Sequence, residues 1–555
     1  MIKRWKEIAM PIRSHLTAIG GGSAFLSQHV RRCLVWCLVL LGMLVAGYLM
    51  EDYKGRVAWN AFRTHWEAKG EVFDLSASTS QAQAVPDDDN FARMPLFEEF
   101  FRLRNSHPDP REFYLWPQPR HGGDIDPAKG RLYGLLGAIK GDGERFRPIP
   151  VAAWKNRDLP RDWRGAVAVP LYRTEKLGRK AGAKPRLSEP EAATSILSRV
   201  NEHWAGEWAA LREETHREWY VPPSPSDTFR YWDNTILFEL ASHCQLRFSA
   251  YAKEGDSEAA LVEWRMMLRL ASYLERSRST FSAHRLTVRS VQSLWEGARQ
   301  HRWSEAQLTE IQSSLDEVSS NLEVHALAYL RRYRNEQIDS ILDPVKRREW
   351  YPPHNNLTAA ARHLVPEGWI RQNALTAARP LQDYALTDSN GEPLWNELCF
   401  DRLDEWQEEF DRLQFYYDSD YGVTLRHPYH LLSSAGYPID PETVRVSIFQ
   451  KATLDVVIAG IACERHFLVR GQYPAALEEL VPAYLETLPL DRYTGNPLKY
   501  KQQPDGTPVV WSVGANGTDE NATPVQDRDF GDIVWQYRLS DELLAIEKRL
   551  ETAGR

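Results

Sequence analysis

CLVWCLVLLGMLVAGYLM, residues 33–50, runs for eighteen positions without a charged side chain, and its reading decides where the rest of the chain is placed. A helix rises about 1.5 Å per residue, so the run is roughly 27 Å long. That is close to the ~30 Å hydrocarbon core, which a backbone crosses only with its amides and carbonyls paired. Arg31 and Arg32 precede the run, and Glu51 and Asp52 follow it. On the N-terminal side Lys3, Arg4, Lys6, Arg13, Arg31 and Arg32 stand against Glu7 alone, so the positive-inside rule keeps residues 1–32 in the cytoplasm and sends the remainder across. The expected address is the inner membrane, single-pass, with the bulk of the chain periplasmic. A cleaved signal peptide is the competing reading, but its apolar core is about 7 to 15 residues and ends at a small-x-small site. Here the basic lead is longer, the run is fuller, and GYLMEDYK offers no A-x-A site. Gly42 and Gly47 suit a membrane helix but are not spaced as G-x-x-x-G.

Outward from the anchor, composition is that of folded material: 555 residues, 43% hydrophobic and 26% charged. A net charge of -8 leaves no basic surplus to neutralise phosphates, so nucleic acid is not an expected partner. Cys33 and Cys37 lie in the apolar run, and Cys244, Cys399 and Cys463 are scattered singly, which is no disulfide framework, although one disulfide among the three stays open. There is no C-x-x-C, H-E-x-x-H, G-x-S-x-G, P-loop or dinucleotide-binding glycine pattern.

After the anchor, residues 51–95 read as stalk and linker. Val57, Phe62 and Trp66 stand near helical spacing, Gly70 ends the helix, and 75–90 is small, polar and acidic. Residues 96–190 are rich in Pro, Gly and Arg with extended pieces such as AVAVPLY at 166–172, which predicts a loop-rich, partly β segment. Residues 191–343 are helical. A helix over 231–253 ends at Glu254-Gly255-Asp256-Ser257, a second resumes over 259–274, and Ser304 with Gln307 forms a capping box opening 308–318. Paired helices with Ala259, Ala260 and Ala271 at close-packing positions resemble a tetratricopeptide-type (TPR-like) hairpin array, though the ~34-residue consensus does not repeat. Ordinary bundle packing of the aromatics and of Met266 and Met267 is the competing reading. Residues 344–438 mix short helices with Trp350, Trp369, Trp395, Trp406, Tyr416 and Tyr417, and carry an acidic helix at 405–411. A glycosidase needs two carboxylates facing one cleft about 5 to 10 Å apart, whereas a solvated helix face explains the same acids without chemistry.

The C-terminal residues 439–540 hold a long helix from Thr443 to Arg470, then Gly471-Gln-Tyr-Pro474, a short helix at 475–481, Leu488-Pro-Leu-Asp491 and Tyr493-Thr-Gly-Asn-Pro497. Strands are predicted at 498–501 and 509–513, followed by a polar loop from Gly514 and Asp529-Phe-Gly-Asp532-Ile-Val-Trp535. This order resembles the globular head of type II secretion major pseudopilins: long helix, Y-P turn, D-x-x-G-N-P segment, strand ending in S-x-G-x-D/N-G, and final D-I-x-W. The Asp491 to Pro497 segment is one residue longer than the family's. The resemblance implies a calcium loop, with Asn516 at the position of the loop aspartate, Asp519 near the next acidic position, Asp532 before the final I-x-W, and Asp529 as a fourth ligand. Hard cations take about six to eight oxygens, which suits that set, and a neutral Asn516 lowers the affinity it implies. A true pseudopilin carries a glutamate in a processed N-terminal helix that runs straight into its head. This anchor has no glutamate and lies some 400 residues earlier, so the head reads as a reused module.

The fold class expected is mainly α with a small α+β C-terminal domain: a single transmembrane helix, a helical-hairpin (TPR-like) central array, a pseudopilin-like head, and a C-terminal helix or tail at 541–555. The layout is similar to that of large anchored proteins of Gram-negative envelopes. The expected function is a non-catalytic scaffold, held by the membrane through 33–50 and contacting other envelope proteins of a secretion or surface assembly. The alternative is an envelope glycan or peptidoglycan hydrolase using central-region carboxylates.

Overall fold

The structure, a computed structural model, describes residues 28–74, 85–106, 204–219, 228–276, 297–350, 365–418, 441–522 and 532–537, with short pieces between them. It is mostly helical, with one small sheet. In chain order the elements are α1 (Gln28–Glu67), α2 (Pro95–Ser106), α3 (Ala205–Glu214), α4 (Thr228–Glu254), α5 (Ser257–Arg276), α6 (Glu305–Leu342) and α7 (Pro344–Trp350). They continue with α8 (Glu367–Pro380), α9 (Leu403–Asp418), α10 (Pro441–Arg470), β1 (Lys499–Gln502), β2 (Pro508–Ser512) and β3 (Ile533–Gln536). The stretch 95–106, expected to be irregular, is helical; AVAVPLY at 166–172 and the tail 541–555 lie outside the described residues.

The chain divides into two compact units, each assembled from separated stretches: Met1–Phe73, Asn335–Arg379 and Arg412–Pro438 in one, and Asp74–Arg334, Pro380–Asp411 and Ile439–Arg555 in the other.

In the first unit α1 is one unbroken 40-residue helix that carries the apolar run and continues into the stalk. By length and composition it is able to cross a membrane, and its apolar window has no buried residue. It ends as the glycine predicts. Gly70 takes φ 93°, and the amide of Glu71 donates back to the Trp66 carbonyl at 3.0 Å, satisfying a terminal acceptor. The stalk face is Trp59, Phe62 and Trp66, packed with Ile338 and Ile341 of α6 and Ala374, Leu375 and Ala378 of α8. Val57 is exposed instead, because five residues back from Phe62 is a rotation of about 140° away from that face. Val57 belonged to the expected stripe, and Trp59 takes its place. α1 and α8 cross backbone to backbone: a Cβ on Gly55 would lie 2.2 Å from the Gly368 carbonyl oxygen, and one on Gly368 1.9 Å from that of Glu51. At the same crossing the Gly368 amide donates to Asp52 Oδ1 at 2.9 Å, so Asp52 caps a helix more than three hundred positions later in the chain.

In the second unit α4 and α5 form a hairpin on the turn read from sequence. Gly255 sits at φ 86°, the Asp256 amide donates to the Tyr251 carbonyl, and Asp256 Oδ1 accepts from the Ala259 amide at 3.0 Å. Asp256 therefore closes one helix and opens the next. The capping box is present in both directions: the Ser304 amide donates to Gln307 Oε1 (3.0 Å) and the Gln307 amide to Ser304 Oγ (3.2 Å). The helix it opens, α6, runs on to Leu342, well past the expected 318.

α10 is apolar enough to pass as a second span, yet 78% of its apolar window is buried, which makes it a core helix. It packs on the antiparallel sheet β1-β2-β3, with Lys499 opposite Trp511 and Val510 opposite Trp535. Gly460 is the contact point, since a Cβ there would meet the Trp535 ring at 2.3 Å. All five cysteines are free, so the disulfide left open from sequence is absent; Cys244 and Cys463 are fully buried.

Candidate functional site

The C-terminal loop was the sequence's candidate for cation binding, and the structure brings part of the set together. The loop leaves β2 after Ser512 and turns at Gly514–Gly517, where the Gly517 amide donates to the Gly514 carbonyl. Asn516 Oδ1 accepts from the Thr518 amide at 2.9 Å, and its Nδ2 donates to Glu520 Oε1 at 2.6 Å. Asp532, fully buried just before β3, accepts from the Ala522 amide through Oδ2 at 2.7 Å and from the Glu520 amide at 3.4 Å. Burial first, and the neighbouring Glu520 carboxyl with it, push the Asp532 acid up to about 7. Burial and a neighbouring carboxyl both disfavour the charged form of Asp532.

Asp519 stands apart from that pair. Its carboxylate accepts from Trp511 Nε1 (3.0 Å) and the Asn521 amide (2.9 Å), and lies 3.8 Å from Lys499 Nζ. Asp529 lies outside the described residues. Glu520 was missed by the sequence reading, which followed the resemblance position by position. The signal available was an acid four residues after Asn516 in a turn-rich loop. Asn521 and Ala522, at φ 60° and 66°, hold consecutive left-handed conformations that side chains disfavour, and this strained corner delivers the Ala522 amide to Asp532. Among the described residues no group of three or more His, Cys, Asp or Glu has metal-holding geometry.

Asp491 of the Leu-Pro-Leu-Asp segment has a structural task. It is buried, accepting from Ser512 Oγ (3.0 Å), the Val513 amide (2.8 Å) and the Tyr493 amide (2.9 Å), and so pins the turn before β1 to the end of β2. Glu464 does the same for α10. Tyr473 and Tyr537 each donate to Oε2 at 3.0 Å, and His301 Nδ1 lies 2.6 Å from Oε1. Burial, then the Glu464 charge, hold both phenols well above their usual range, so they remain donors. Arg247 and Glu263, both buried, pair at 2.7 Å while Trp208 Nε1 donates to each Glu263 oxygen, which satisfies a charge that burial alone would destabilise.

The acids of α9 are solvated: Asp404, 92% exposed in its side chain, pairs with Arg445 at 2.5 Å, and Glu405 with Arg402 at 2.9 Å. Elsewhere in the second unit Asp316 is held above the usual carboxylate range by partial desolvation and then by the charge of Asp455, which Lys451 grips through both oxygens at 2.6 Å. Trp395, expected as a packing or groove ring, is 48% exposed with the Arg331 guanidinium 4.1 Å from its centroid. Compared with known proteins, the chain matches no protein-family model, no curated protein and no solved structure.

Proposed function

We propose that the chain is an inner-membrane envelope scaffold, anchored by residues 33–50 with its N-terminus cytoplasmic and its folded units periplasmic. In this reading its pseudopilin-like C-terminal module contacts other envelope proteins of a secretion or surface assembly. The observation that carries the reading is α1: its apolar window has no buried residue, while the turns directly after it are packed into a folded unit. Tyr48, inside the apolar run, already bonds the Val365 carbonyl at a long 3.5 Å, which supports retention of the segment rather than its cleavage. A permanent anchor raises the local concentration of the exported units at the membrane and makes weak protein contacts effective.

Calcium belongs to the same reading as a ligand of the 516–532 loop, held by Asn516, Glu520 and Asp532. A divalent cation there takes the place of the proton on Asp532 and draws on oxygen donors of the kind calcium prefers. Purification of the full-length protein from its native membranes in mild detergent, with calcium or with chelator, tests the whole. Co-purifying envelope proteins that are lost with chelator support the reading. A chain that comes through alone in both conditions counts against it.

A further inference from the structure

The first unit is fastened to α1 one residue beyond its apolar run, and this fixes which residues share the depth of the membrane surface. Glu51 follows Met50 directly, about 1.5 Å further along the axis. Its Oε2 accepts from two aromatic side chains far away in sequence, Tyr429 OH at 2.6 Å and Trp369 Nε1 at 3.2 Å. Tyr48, nearly one turn earlier on the other side of the boundary, contacts Val365 just before α8. Three amphipathic rings are thereby gathered at one level. Trp and Tyr are the side chains that settle at the membrane–water boundary, where the ring meets acyl chains and the polar edge meets water.

We propose that Tyr48, Trp369 and Tyr429 form an aromatic collar seated in the lipid headgroup layer, so that the first unit rests on the bilayer instead of being held away from it by the stalk. The proposal rests on the anchored reading above. Charges at this level are arranged to permit it. The Asp52 carboxylate is buried on the Gly368 amide, and Glu51 is offset by Lys54, whose Nζ lies 3.0 Å away. Lys54 and Arg56 keep solvent-facing positions within about 8 Å of Glu51 along the helix, at the height of lipid phosphates. The hydrogen bond to Glu51, with burial second, pushes the Tyr429 phenol up to about 12, so the donor that ties the collar together persists at any physiological pH.

Seating on lipid also accounts for the backbone contact of Gly55 with Gly368. Side chains at the crossing would lift α8 from α1 and tilt the rings out of a common level.

The test uses the full chain in phosphatidylcholine/phosphatidylglycerol vesicles, with Cys33, Cys37 and Cys399 changed to alanine and the fully buried Cys244 and Cys463 retained. An acrylodan label is placed in turn at Leu44→Cys, Glu367→Cys and Asn60→Cys, and quenched by acyl-chain doxyl lipid, headgroup nitroxide lipid and aqueous iodide. The expected result is quenching of the 44 label by the acyl-chain probe, of the 367 label by the headgroup probe with blue-shifted emission, and of the 60 label by iodide alone. A 367 label that behaves like the 60 label, while the 44 label is embedded, overturns the collar and leaves the anchor standing. A 44 label open to iodide and closed to both lipids overturns the anchored reading itself. Adding Trp369→Ala to the Glu367→Cys chain should weaken headgroup quenching, and unchanged quenching removes Trp369 from the collar.

Discussion

α1 holds two kinds of glycine on one helix. Gly42 and Gly47 have open space where a Cβ would stand, whereas Gly55 has a foreign carbonyl there, about two turns beyond Gly47. Nothing in helix propensity separates the three. On the anchored reading what differs is the medium: lipid adapts to whatever side chain is presented, while a protein interior packs at near-crystal density and resists an added methyl group. The boundary between the two behaviours coincides with the end of the apolar run.

The largest expected effect probes that boundary. Gly368→Ala and Gly55→Ala each drive a methyl group into backbone, which cannot rotate aside, and should cost about 4 kcal/mol or more, read as a lowered melting temperature in detergent micelles. Gly42→Ala and Gly47→Ala should leave melting unchanged; if they melt as low as Gly55→Ala, the two-media account of α1 is wrong. Next comes Gly460→Ala in the C-terminal module, where the obstacle is the Trp535 ring rather than backbone. Some repacking is open to it, and about 1–3 kcal/mol is expected from denaturant unfolding. Asp52→Ala removes a cap supplied from outside α8 and should cost about 0.5–2 kcal/mol, with Asp52→Asn recovering most of it.

The smallest and most discriminating effect is in pH. Asp532 has its folded pKa shifted upward, to about 7, from an ordinary unfolded value. Between those two values the folded state holds a proton that the unfolded state has released. This contribution to stability is therefore complete in acid and is lost as pH rises towards 7. Melting followed through the C-terminal module should rise as pH falls from 8 to 5, and Asp532→Asn should flatten that slope. If calcium takes the place of the proton, its addition at pH 8 should restore the melting temperature that acidification gives, and a melting curve indifferent to both calcium and chelator would remove the cation from this loop.

Local chemistry was legible where one or two residues decide the outcome. Gly70 and Gly255 stop helices because only a left-handed residue closes those carbonyls, Ser304 and Gln307 start one by reciprocal capping, and the strands expected at 498–501 and 509–513 are β1 and β2. Partnership over long separation was not legible. Glu51 and Asp52 read as the polar flank of an anchor, and only the fold shows them taken up by Trp369, Tyr429 and Gly368. Val57 and Trp59 are equally apolar in the sequence, and which one faces inward depends on where α6 and α8 lie. At the C-terminal loop, position-by-position analogy named Asn516 and Asp532 but passed over Glu520, because the approach of Glu520 to both is made by a loop closing on a strand and leaves no spacing rule behind.

Asp256, which ends α4 and begins α5, has a consequence for the order in which the chain assembles. A connection this short brings the two helices together with almost no loop-closure entropy, and short loops close in well under a microsecond. A chain made from its N-terminus delivers this hairpin roughly two hundred residues before α10 and the sheet that complete the same hydrophobic core. The hairpin is thus the natural nucleus of the second unit: substitutions in it should slow refolding, whereas substitutions around Gly460 and Trp535 should chiefly hasten unfolding.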